Sequence, residues 1–175
     1  MTFAKALFCT TVAVAALSGT TIARQATTPS AAQRGFDRLK ALRGEWIDVD
    51  GAFGVKGAVA VRYDVTSAGN AVVETFPVNT PGEMVTVYHL DGRDLVLTHY
   101  CSSPNQPRMR SKGLDGSTLA FAFDGGTNID AATTPHMHSA RIEFVSADEI
   151  VGTWQNWRAG KPHEGDASFR IVRKQ

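Results

Sequence analysis

Beyond residue 44 the chain alternates between apolar and polar positions. Val59, Val61, Tyr63 and Val65 alternate with Ala60, Arg62 and Asp64. Leu119, Phe121 and Phe123 alternate with Ala120 and Ala122, and Ile142 and Phe144 with Arg141 and Glu143. A period of two sends successive side chains to opposite faces of an extended strand. About ten such segments can be marked: 45–50, 56–66, 71–77, 83–90, 94–102, 107–114, 117–124, 137–145, 149–158 and 165–173. Asp-Gly pairs at 50–51, 91–92, 115–116 and 124–125 suit the positive φ of tight hairpins, and Gly125-Gly126 reads as a turn pair. Residues 68–70, 146–148 and 159–160 supply further turns.

One segment has a different period. Phe36, Leu39 and Leu42 recur at helical spacing, with Arg34, Asp37, Arg38 and Lys40 opposite them. Ser30 and Gln33 fit a capping box and Gly44 a stop, so the pattern predicts an amphipathic helix over 31–43. No helix separates the strands that follow, which implies an antiparallel meander. Closure removes the two open edges such a sheet would carry. The expected fold is all-β: a closed meander barrel of about ten strands, capped at one end by the helix, with an interior of ligand size.

The first residues follow another logic. Lys5 precedes an apolar run, Ala6 to Leu17, broken only by Cys9, Thr10 and Thr11, and Thr21-Ile22-Ala23 fits a small-x-small cleavage site. Residues 1–23 are therefore expected to be a secretory signal peptide, 24–30 a flexible leader, and 31–175 a single barrel domain. Secretion is the expected destination, the periplasm in a Gram-negative host. Cys9 lies inside the apolar run, so no lipid anchor is expected.

Cleavage would remove one base, Lys5, from 18 Lys and Arg against 17 Asp and Glu. The resulting neutral surface argues against nucleic acid or an anionic membrane as partner. A small-molecule ligand is the expected partner, with no membrane insertion after cleavage and the oligomeric state left open. Of two cysteines only Cys101 would remain, so no intramolecular disulfide is available. Cys101 then reads as a buried inert residue, a reactive thiol near His99, or a bridge to another chain.

Gly44-Glu45-Trp46, at the junction of helix and first strand, resembles the G-x-W signature of the calycin superfamily. The resemblance implies that Trp46 closes the bottom of the barrel. It also implies that a basic residue of the last strand, Arg170 or Arg173, packs over its ring. The stretch Gly82 to Met109, "GEMVTVYHLDGRDLVLTHYCSSPNQPRM", is similar to a group of secreted bacterial lipocalin-like proteins with a domain of unknown function. That similarity runs from "LRGEW" to "IVRK". It implies a lipocalin-like fold and leaves the activity open.

The candidate chemistry lies where the alternation meets polar residues. His136 and His138 share a parity with Ala140, Ile142 and Phe144, which points both toward the interior. They read as rim imidazoles bonded to neighbouring strands, as ligand contacts, or as metal ligands. Zinc or copper would need a third ligand, His99 or Glu74. His99 and Tyr100 sit on opposite parities of a strand whose facing the pattern leaves open. Glu74 shares a face with Val72 and Phe76, and Arg108 is one partner it could find. Phe121, Phe123, Phe144 and Trp157 would supply apolar wall. His89 and His163 adjoin turns. The chain lacks a G-x-S-x-G elbow, a P-loop and a dinucleotide fingerprint. The leading expectation is a secreted barrel that binds a small, partly apolar molecule. The rivals are a metal-binding protein using the His-x-His pair, a small-molecule enzyme with Glu74 or a histidine as general base, and a barrel filled by its own side chains.

Overall fold

A computed structural model describes residues 28–175. The expected signal peptide and most of the expected leader lie outside these residues. The chain runs α1 (Ala31–Ala41), β1 (Gly44–Asp48), β2 (Val59–Thr66), β3 (Ala71–Phe76), β4 (Met84–Asp91), β5 (Asp94–Tyr100) and β6 (Gln106–Ser111). It continues with β7 (Leu114–Asp115), β8 (Thr118–Thr127), β9 (His136–Phe144), β10 (Glu149–Arg158), β11 (Lys161–Pro162) and β12 (Ala167–Arg173). Ten strands pair antiparallel in chain order, and β12 pairs with β1 to close the ring. The two-residue strands β7 and β11 are side hairpins on β8 and β10. The architecture is a closed ten-strand antiparallel barrel with one short helix, compatible with a calycin-like fold.

The helix begins where its cap predicts. Ser30 Oγ accepts the Gln33 amide N–H at 3.1 Å, while the Gln33 side chain donates to Asp37 instead of closing the box. The helix ends at Ala41, with Leu42 as cap and Gly44 already opening β1. Its buried face, Phe36 and Leu39, joins one core with Trp46, Leu95, Leu119 and Phe144. The barrel end beneath the helix is therefore filled by buried apolar side chains.

Trp46 anchors that end. Its indole N–H donates to Leu42 O at 2.8 Å, and its ring meets Tyr63 edge-on at 6.2 Å. Of the two basic candidates, Arg173 covers the ring, its guanidinium 4.6 Å from the centroid. Arg173 also donates to Ala41 O and Arg43 O at 2.9 Å and to Asp148 Oδ1 at 2.7 Å. One side chain thus ties the last strand to the helix end, the first strand and the β9–β10 turn. Arg170 pairs with Glu149 on the outside.

Two bulges correct the sequence reading. Asp124-Gly125 is not a hairpin turn: it lies inside β8, where two residues face one on β6 between the pairs Met109–Phe123 and Pro107–Gly126. Pro107 has no N–H for the ladder, and a bulge is where a strand tolerates that. The second bulge is in β9. Ser139 pairs with Gln155 and Met137 with Asn156, so His138 has no residue opposite it.

Candidate functional site

The β9 bulge decides which residues reach the interior. One extra residue reverses the facing of everything beyond it. Ala140, Ile142 and Phe144 point inward as expected, but on the far side of the bulge the inward residue is Met137. An internal cavity of about 200 Å³ is lined by Ala52, Phe53, Phe76, Met84, His99, Met137, Trp154, Ala167 and Phe169. His136 and His138 are not among them, which corrects the expectation that both look into the hollow. The exposed lining residues are Ala52 and Ala167, so the cavity opens between the β1–β2 loop and the start of β12.

The two histidines form a cluster of their own. His138 stacks on Trp157 at 3.6 Å and 9°, and on Phe123 at 4.9 Å and 18°. His136 Nδ1 lies 2.7 Å from Thr134 O, which can only accept, so Nδ1 carries the proton. In the neutral ring Nε2 is then an acceptor, and His138 Nδ1, 3.0 Å away, donates to it. The pair satisfies itself instead of converging on an ion. Burial and its neighbour His136 hold the His138 ring below its ordinary pKa. Among the described residues no three His, Cys, Asp or Glu side chains converge as a metal site, so neither His99 nor Glu74 supplies a third ligand. Phe123 and Trp157 serve this cluster and not the cavity wall.

Inside the barrel a polar row crosses four strands in register. Tyr63 pairs with Glu74, Glu74 with Thr86 and Thr86 with His99. Glu74 is 2% exposed and forms no ion pair among the described residues. Tyr63 and Tyr88 each donate a phenolic O–H, to Oε1 at 2.7 Å and Oε2 at 2.5 Å. Burial pushes its carboxyl above the ordinary range, and the two phenols pull it part of the way back. Arg108 is not its partner: it is exposed on the outer face, bound to Asp124. Glu74 does not line the cavity.

His99 stands at the cavity end of the row. Its Nδ1 lies 3.0 Å from Thr86 Oγ1. Its ring is flanked by Phe76 at 5.7 Å and 20° and by Trp154 at 4.9 Å and 45°. Burial drops its pKa to about 4, so the ring is neutral at ordinary pH. Strand β5 thus faces His99 inward and Tyr100 outward, the latter 50% exposed and no part of the cavity. Phe121 and Phe144 are inside but packed: Phe121 lies against Tyr88 and Phe144 beneath Arg38. Cys101 is a free, half-buried thiol just past the end of β5.

The remaining lining residues went unmarked for different reasons. Phe53 lies in the irregular β1–β2 loop, where no period speaks. Its amide N–H, with those of Gly51 and Ala52, is held by the buried Asp48 carboxylate at 2.9 to 3.2 Å. Trp154 shares a face of β10 with Ile150 and Gly152, a signal that parity could have given. Phe169 seats against Gly152, its cross-strand partner, where an added Cβ would come within 2.1 Å of the ring. A larger outer concavity of about 750 Å³ runs over β6 to β9. Its cations Arg110, Lys112 and Arg141 are already paired, with Asp91, Asp94, Asp124 and Glu143. The chain matches no known family model and no curated protein.

Proposed function

We propose that this chain is an exported, calycin-type barrel that binds a small, largely apolar molecule in the cavity around His99. The supporting observation is the cavity itself: eight apolar side chains and one neutral imidazole around about 200 Å³. Roughly 150 Å³ of apolar cavity is enough to take up benzene. Each Å² of apolar guest surface withdrawn from water would contribute about 25 cal/mol. Few convergent polar groups in an apolar hollow is the usual composition of a small-molecule site. The G-x-W junction and the Arg173 clamp support the calycin assignment, and the apolar run at residues 6–17 supports export. His136, His138, Phe123 and Trp157 are a structural cluster in this reading.

Methionine methyl NMR tests the site directly. Met84 and Met137 line the cavity, while Met109 is fully buried in the packed core. Adding benzene should shift the Met84 and Met137 methyl signals and spare Met109. No shift at saturating benzene, or an equal shift at Met109, would overturn the proposal.

A further inference from the structure

We infer that the guest is an uncharged, planar, single-ring aromatic molecule that presents one hydrogen-bond acceptor to His99 Nε2. This rests on the cavity being a binding site and adds the chemistry of what it selects.

Shape is the first constraint. Phe53 packs against Phe76 at 5.8 Å and Phe169 at 4.9 Å, and Phe76 and Trp154 flank His99. Five ring systems therefore bound the cavity, with Met84 and Met137 as the deformable walls. Aromatic rings gain most from a flat partner that stacks or meets them edge to face. The volume admits one ring and excludes an acyl chain of lipid length.

Charge is the second. No Lys, Arg, Asp or Glu lines the cavity. An ion brought there would lose its water and find nothing to replace it. The guest is neutral.

The third constraint is the direction of one hydrogen bond. Thr86 is fully buried, and His99 Nδ1 is the one partner of its hydroxyl among the described residues. A buried O–H left without an acceptor is costly, so the hydroxyl donates to Nδ1. The neutral ring then carries its proton on Nε2. That N–H has no protein partner among the described residues. It is a fixed donor in an apolar hollow, which a carbonyl, ether or phenol oxygen on the guest would satisfy. Because burial keeps the ring neutral down to about pH 4, the donor keeps this form across neutral pH.

Three planar molecules of similar size separate these statements: acetophenone, α-methylstyrene and benzoate. Affinities for the protein would be read by calorimetry and by the Met84 and Met137 methyl shifts. Acetophenone should bind about tenfold tighter than α-methylstyrene, the usual worth of one well-made hydrogen bond. Benzoate should bind at least tenfold more weakly than acetophenone, with no recovery between pH 6 and 8. Replacing His99→Phe should abolish the preference for acetophenone while α-methylstyrene still binds. Thr86→Val, which frees the tautomer, should shrink it. The wild-type ranking decides even if a variant fails to fold. Equal affinities, or a preference for benzoate, would overturn this inference and leave the cavity as a binding site. No binding of any of the three, together with no benzene shift, would overturn the cavity reading itself.

Discussion

His99 should leave a measurable signature in stability. Its folded pKa of about 4 lies below the ordinary 6.5, so the unfolded chain takes up a proton that the folded chain refuses. Stability from this group is complete above pH 6.5 and drains away as pH falls toward 4. The loss amounts to roughly 3 kcal/mol at most, since one pKa unit is worth about 1.4 kcal/mol. Glu74 acts in the opposite sense. Its raised pKa favours the fold at low pH, and that contribution is lost as pH rises from 4.5 through its folded value. Urea unfolding of wild type and His99→Phe at pH 7 and pH 4.5 isolates the histidine, because Glu74 is common to both. The variant should lose distinctly less stability on acidification; parallel losses would mean that His99 titrates normally. Glu74 and His99 were legible in the sequence as polar residues within apolar strands. Their partners were not. Tyr63, Tyr88 and Thr86 become partners through register, and no local pattern reveals which residues of two strands stand side by side.

At the level of strands, the alternation located all ten barrel strands and the helix because each buries one face and wets the other. It failed at the bulges. An inserted residue changes neither composition nor hydrophobicity, yet beyond the β9 bulge it is Met137, and neither His136 nor His138, that lines the cavity. The same blindness made Asp124-Gly125 look like a turn. Close approach is equally silent in sequence, and Gly152 is the case that bears on the site. Its missing side chain makes the notch in which Phe169 sits. Gly152→Ala should push that ring toward the cavity, costing about 1–3 kcal/mol in unfolding free energy as overpacking does. Benzene-induced shifts of Met84 and Met137 should weaken in parallel. A variant of normal stability with normal shifts would show that the notch is not needed.

Across the whole barrel, closure depends on β12 meeting β1, and Arg173 sits at that seam with four side-chain hydrogen bonds and a stacked indole. Arg173→Leu should lower unfolding free energy by about 2–4 kcal/mol by stripping several partners at once. Arg173→Lys should recover little, since an ammonium cannot reproduce a planar fork over an aromatic ring. Chemical denaturation of the two variants checks both statements; a lysine variant as stable as wild type would reduce the residue to a simple charge. Here the G-x-W resemblance was informative, since it pointed to a basic residue on the last strand.

The three amides gathered by Asp48 have a kinetic consequence. A guest bound as proposed would pass the mouth beside Ala52, and Phe53 hangs from the same turn. Arrival and departure would then share one latch, while the equilibrium between free and occupied protein is governed by the rings deeper in. Loosening that latch should quicken exchange in both directions and leave the dissociation constant nearly where it was.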